Sequence, residues 1–266
     1  MKRLIINSDD YGRTPEISRG IREAHLRGVV TSTTCMMNIP TTAEDVAVAL
    51  KETPTLGMGV HLVLTMGSPI SAPAAVRSIT DEEGNFFKYA ALVEQLPQID
   101  PDEVKTEWRA QIDAFVKASG RNPTHLDSHH HSSYFSPELF RGMLELAKEY
   151  ECAIRFPFTG DISKELEETN KRVPELIREF DPRRPDHFVV DFYDERATYE
   201  ELINILTHLP DGTTEIMCHP GYTDDAFAKE SVYNDQRDRE LNILTDPSIK
   251  EAIQAQGIEL ITFADL

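Results

Sequence analysis

Strand-length and helix-length segments alternate along almost the whole chain, and this alternation is the tightest constraint on its fold. Short β-branched or apolar runs fall at residues 3–7, 29–37, 56–64, 124–127, 153–156, 187–192, 215–218 and 259–263. The segments between them carry helix signals. Thr14 precedes Pro15, Ile17 and Ile21 share a face, and Gly28 marks a stop. Thr41-x-x-Glu44 has the form of a capping box opening a helix to about residue 51. Asp100-Pro101 starts a longer helix in which Val104, Trp108, Ile112 and Phe115 recur at helical spacing until Gly120, so Trp108 reads as core. Further helices are expected over 86–96, 136–151, 162–180 (interrupted by Pro174), 199–209, 231–244 and 246–257. Residues 65–85 show little periodicity, and the 66–84 stretch is a candidate lid.

Strands alternating with helices imply a parallel α/β architecture. The expected fold is a (β/α) barrel, TIM-like whether regular or irregular, with seven to eight parallel strands. No low-complexity linker or composition break divides the 266 residues, so a single domain over 1–266 is expected.

Charge and cysteine usage narrow the partners. The chain has 27 basic and 46 acidic residues, a net charge of −19, which argues against nucleic acid or an anionic membrane as partner. Cys35, Cys152 and Cys218 are far apart and odd in number, which fits a reducing compartment. The apolar run at the N-terminus is short and meets Asp9-Asp10 at once, unlike a signal peptide. A cytoplasmic location is the expectation.

The chemistry-bearing feature is Thr124-His125-Leu126-Asp127-Ser128-His129-His130-His131. It holds four of the nine histidines of the chain and an aspartate. Imidazoles beside a carboxylate suit a divalent metal, although a solvated histidine loop has the same composition. Other polar residues sit where strands are expected to end. Asp9-Asp10 follows the first run, His61 lies late in the third, Arg155 late in the fifth, and His219 follows the seventh. A parallel barrel gathers the C-terminal ends of its strands on one face. One aspartate with two histidines would hold a mononuclear ion and leave positions for water and substrate. Adjacent side chains on an extended segment diverge, so one of Asp9 and Asp10 can bind metal while the other accepts a proton. His219 could protonate a leaving nitrogen. These parts describe metal-assisted hydrolysis of an amide or ester. Taken singly, Asp9-Asp10 also reads as a helix-entry cap and His219 as a structural histidine beside a Pro-Gly turn.

Five motifs in order carry a more specific resemblance: Asn7-Ser8-Asp9-Asp10-Tyr11-Gly12, Val30-Thr31-Ser32-Thr33-Thr34, Gly59-Val60-His61-Leu62-Val63-Leu64-Thr65, Pro123-Thr124-His125-Leu126-Asp127-Ser128-His129-His130 and Cys218-His219-Pro220-Gly221. Over nearly its whole length the chain resembles the YdjC-like carbohydrate deacetylases, which include bacterial chito-oligosaccharide deacetylases. The resemblance implies a (β/α) barrel and removal of acetyl groups from N-acetylated sugars such as chitobiose. It also implies a single ion, Mg²⁺ or Zn²⁺, held by Asp10, His61 and His125, with Asp9 as general base and His219 as general acid. Two imidazoles with one carboxylate lean toward zinc. Ser132-Ser133-Tyr134 departs from the further histidine with which the family often continues the cluster. Asp127 is expected to orient an imidazole. His129, four residues after His125, resembles the metal pair of the separate polysaccharide deacetylases and is either a ligand or a sugar contact. Tyr11, Tyr134, Phe156 and Arg155 are expected near the substrate. Arg237 and Arg239 read as a solvated helix face or as reach toward a substrate phosphate. A homodimer is a family-like expectation. The competing readings are a metal-dependent phosphoesterase, which would need two or three ions, and a non-catalytic sugar- or metal-binding protein.

Overall fold

The first apolar run extends further than its periodicity suggests, and the sheet is built around it. In the computed structural model, which describes residues 1–159, 164–223, 227–229 and 231–266, β1 (Lys2–Tyr11) is buried from Leu4 to its end. The chain continues through α1 (Pro15–Leu26), β2 (Ser32–Cys35), α2 (Thr42–Glu52), β3 (Gly57–Leu62), α3 (Tyr89–Gln95), α4 (Pro101–Ser119) and β4 (His125–Ser128). There follow α5 (Pro137–Glu149), β5 (Ala153–Ile154), α6 (Glu167–Phe180), β6 (His187–Val189), α7 (Tyr199–Thr207), β7 (Gly212–Cys218), α8 (Asp235–Leu244), α9 (Pro247–Ala255) and β8 (Glu259–Leu260). Ile162, where the sixth helix was expected to begin, lies outside the described residues.

The strand order is β5-β4-β3-β2-β1-β7-β6, and every pairing is parallel. β8 pairs with Arg3 and Leu4 of β1, below the point at which β2 takes over at Asn7. The result is an irregular, curled barrel. Among the described residues β5 and β6 do not pair with each other, and the stretch before β6 bridges the opening. Ile154 donates to the carbonyl of Arg183, and Asp186 to that of Thr213. All C-terminal strand ends therefore face one rim, as the barrel expectation requires.

The helix signals mostly hold. Thr14, Asp100, Ser136, Thr198 and Asp246 each cap a helix through the side chain, and Gly120 ends α4 at φ 70°. The Thr41 box does not form. Thr41 makes no side-chain cap, and the hydroxyl of Thr42 donates instead to the carbonyls of Gly12 and Met36. That places Thr42 where a Cβ on Gly12 (φ +90°) would collide with it. Trp108 is fully buried, so Trp108→Ala is expected to cost roughly 3–5 kcal/mol in a urea titration; a loss below 1 kcal/mol would deny it a core role.

Residues 65–85 are fastened rather than loose. Glu107 on α4 accepts from the backbone of Ile70 (3.0 Å) and Ser71 (2.9 Å), and Glu103 accepts from Ser78 (2.6 Å). Gln111 ties Glu107 to the end of β3 through Val63.

Candidate metal centre

The rim is organised in layers by strand geometry. Residues two apart on a strand point the same way and rise by about 7 Å. His125 and Asp127 on β4 share the inner face, as do Asn7 and Asp9 on β1. The lower layer holds Asn7 and His125, whose Nε2 lies 3.0 Å from Asn7 Oδ1. The His125 ring stacks on Phe263 at 3.7 Å, and its Nδ1 meets the Thr124 hydroxyl. Gly59 is needed here, because a Cβ would lie 2.6 Å from His125 Nδ1. Burial pushes the His125 pKa well down.

The next layer holds Asp9, Asp127, Arg155 and Glu215, all buried. Arg155, just past β5, grips Asp9 with both terminal nitrogens (2.6 and 2.7 Å), Asp127 at 2.9 Å and Glu215 at 2.7 Å. Burial alone would raise the Asp9 pKa, but the guanidinium overrides it and holds the carboxyl far below its usual range. Burial also dominates at Glu215, only partly offset by Arg155, and pushes it up to about 7. The folded state then keeps a proton that the unfolded chain gives up near 4.5. The stabilisation present below about 4.5 is lost as pH rises through about 7. Glu215→Gln cannot ionise. In EDTA it should gain on the wild type by on the order of 3 kcal/mol between pH 4 and pH 8, read from urea midpoints; a pH-independent difference would contradict this.

The uppermost layer brings together Asp10, His61 and His129. Asp10 sits at φ 68°, a left-handed conformation that breaks strand alternation and lets both Asp9 and Asp10 line one cleft. His61 comes from β3, beside Asp127 in register. His129 follows β4, where His130 and His131 take φ of 55° and 57° and turn the chain across the rim. Asp10 Oδ1 is 3.1 Å from His129 Nδ1 and 3.5 Å from His61 Nε2, and those two nitrogens are 3.3 Å apart. Ligands at about 2.0–2.2 Å from one ion stand about 3.0–3.6 Å from each other. The triangle therefore has the size a zinc or magnesium ion needs.

Three further observations fit a metal. Asp10 Oδ1 is buried without a hydrogen-bond partner. Asp127 Oδ1 lies 2.6 Å from His61 Nδ1 and fixes a proton there, so Nε2 is the nitrogen turned to the triangle, where an ion would take the place of its proton. Arg237 on α8 holds the other oxygen of Asp10. Burial resists a charged imidazole at His61, but Asp127, Asp9 and Asp10 outweigh it and raise its pKa to about 9.

His219 follows β7 with its Nε2 3.9 Å from Asp9 Oδ2. Its backbone N–H donates to Glu240 of α8, which also accepts from Tyr233 at 2.5 Å. Burial lowers the imidazole to about 4, so it is neutral near pH 7, and its Nδ1 has no partner.

Of the expected trio, Asp10 and His61 come together, with His129 beside them; His125 lies two layers below and packs on Phe263. Asp127 meets His61 Nδ1, while Arg155, expected near the substrate, is fully buried among Asp9, Asp127 and Glu215. Tyr11 does not line the cleft; its hydroxyl donates to the Asp45 carbonyl and accepts from Arg22. Tyr134 is fully buried and donates to the carbonyl of Arg155, behind the site. Phe156 packs on Phe158. Arg237 is not a solvated face: it is 4% exposed, lines the cleft and holds Asp10; Arg239 bonds the Asp194 carbonyl. Glu240 and Glu215 were missed as site residues, and Arg237 was not expected as a partner of Asp10. The one available signal was Glu215, the single charge in its strand.

The cleft over the triangle has a volume of about 650 Å³. Its wall carries Tyr193 and Tyr233, stacked at 4.8 Å, with the edge of His219 against both. Tyr89, Val190 and Val232 stand exposed around the mouth.

The fold and centre define a parallel α/β protein with a buried carboxylate–imidazole site at its strand ends. The chain belongs to the YdjC-like family, whose family model, described as YdjC-like protein, matches residues 3–255. It is 39% identical over 270 residues to a carbohydrate deacetylase of Enterococcus faecalis, covering 100% of this chain and 98% of that one. It is 38% identical over 265 residues to a carbohydrate deacetylase of Brevibacillus brevis, covering 99% of each. A solved structure from Enterococcus faecalis V583, described as that of a candidate cellobiose-phosphate cleavage protein, superposes with a TM-score of 0.88 at 37% identity, over 99% of this chain and 98% of that one. Among the described residues no helix is long and apolar enough to cross a membrane.

Proposed function

We propose that the protein is a metal-dependent carbohydrate deacetylase that hydrolyses the acetamide of a small N-acetylated sugar such as a chitobiose-like disaccharide. The observation that carries this reading is the Asp10–His61–His129 triangle directly beside an ionised Asp9. Zn²⁺ suits two imidazoles and one carboxylate, and Mg²⁺ is the other candidate. The relatives described as carbohydrate deacetylases support the same reaction class.

A divalent ion held there would supply Lewis acidity, which polarises a carbonyl and makes water more acidic. The residues of the chain do the rest. Arg155 keeps Asp9 ionised and fixed in orientation. As the water oxygen attacks the acetyl carbon, Asp9 accepts the proton. His219, neutral beforehand, receives it across the 3.9 Å gap and delivers it to the sugar nitrogen as the C–N bond breaks. Acetate and a free amine leave. Tyr193 and Tyr233 offer a face for a sugar ring, and the apolar mouth fits its C–H surface.

The test is release of acetate from di-N-acetylchitobiose by purified protein supplied with Zn²⁺ or Mg²⁺. Stoichiometric metal binding without acetate release from that or any other N-acetyl sugar would refute the proposal.

A further inference from the structure

Beneath the triangle lies a second group with metal-ligand spacing that the proposed mechanism leaves to an arginine. Ligand atoms of Asp9, His61 and Asp127 all lie within 4.8 Å of one another. Glu215 adds a third carboxylate, and its Oε2 is buried with no hydrogen-bond partner. Asp127 and Glu215 are 0% exposed, and Asp9 is 2% exposed at the floor of the cleft. A buried carboxyl cluster of this size persists only with a cation among its members or with protons held on them. The two groups share His61, whose Nε2 faces the upper triangle and whose Nδ1 faces Asp127. Neighbouring carboxylate groups with a ligand between them are how two-metal hydrolases are laid out.

The Arg155 guanidinium sits in the lower group. It is 0% exposed, its Nε is 2.7 Å from Glu215, and its terminal nitrogens meet Asp9 twice and Asp127 once within 2.9 Å. The ring of Phe188 closes one side of it at 5.3 Å.

We infer that Arg155 is the built-in second cation of this centre: it fills a carboxylate pocket that would otherwise take a second divalent ion, and so limits the protein to one. The inference rests on the proposed metal site at Asp10, His61 and His129. A guanidinium stays charged at any working pH, cannot be chelated away and has no Lewis acidity. It neutralises the pocket and orients Asp9 without offering a second ion to clamp a phosphoryl group. One arginine thereby separates single-metal amide hydrolysis from two-metal phosphoester chemistry at a site otherwise equipped for both.

The experiment uses Mn²⁺ as probe. Full-length wild type, Arg155→Lys and Arg155→Ala are equilibrated with Mn²⁺ and freed of excess. Bound metal is counted by elemental analysis, and electron paramagnetic resonance reports whether the ions are coupled. Wild type and Arg155→Lys should hold one isolated ion per chain, and Arg155→Ala should hold two, close enough to couple. The thermal midpoint of Arg155→Ala should rise with Mn²⁺ more steeply than that of the wild type. A coupled pair in the wild type would overturn the inference, as would a folded Arg155→Ala chain with one ion. Arg155→Ala remaining unfolded in millimolar Mn²⁺ would also overturn it, because an ion in the arginine's place should restore the missing charge. No ion in the wild type would instead refute the underlying metal site, a separate failure.

Discussion

His129→Ala is expected to abolish tight metal binding and to lower acetate release on the order of 10³-fold, while His125→Ala retains one ion per chain. The contrast follows from strand geometry. His125 begins β4 and points into the barrel two layers below the triangle, where it stacks on Phe263 at 3.7 Å. Its loss should appear as instability, roughly 2–4 kcal/mol for the cavity left beneath the site. His129 Nδ1 lies 3.1 Å from Asp10 Oδ1, and no other residue of the triangle can replace it. Metal analysis, acetate kinetics and thermal melts on both variants decide the matter. Loss of metal in His125→Ala with retention in His129→Ala would reverse the assignment.

Asp9→Asn is expected to lower turnover by about 10²–10⁴-fold with metal affinity nearly unchanged. The carboxylate accepts the proton but does not belong to the triangle, so the ion keeps its three ligands. Asparagine nearly matches aspartate in shape, yet it turns an N–H₂ toward Arg155 in place of an acceptor. The variant should therefore also lose some stability, separable from turnover by assaying well below its melting temperature. A purely sugar-binding or metal-storing protein would be indifferent to this change. Unaltered acetate release by Asp9→Asn would remove Asp9 from the mechanism.

Much of the architecture could be read from residues alone, because parallel α/β proteins write their plan locally. Strand runs were bounded by prolines, glycines and capping residues, and Thr14 and Asp100 act where they were expected to act. The convergence of Asp9, Asp10, His61 and the histidine cluster followed from topology, since strand ends of a parallel barrel share a rim. What could not be read was height along each strand. The difference between His125 and His129 is two layers, set by where β4 stops and by the left-handed turn at His130 and His131. No periodicity reveals that turn. The role of Arg237 was equally hidden, because a charged residue on a helix normally faces water, and only packing shows it directed at Asp10. Glu215 and Arg155 pair across 60 residues of sequence, a distance over which single-sequence reasoning has no signal. Thr41 shows the converse, a well-formed local motif displaced because Thr42 was needed to support the turn at Gly12.

The ion position itself is the most direct test of the central claim. Crystals of the wild-type protein loaded with Zn²⁺ and measured at the zinc absorption edge should show one anomalous peak per chain, within about 2.0–2.2 Å of Asp10 Oδ1, His61 Nε2 and His129 Nδ1. A fully loaded crystal whose peak lies beside His125, or whose ion is not shared by those three atoms, would contradict it.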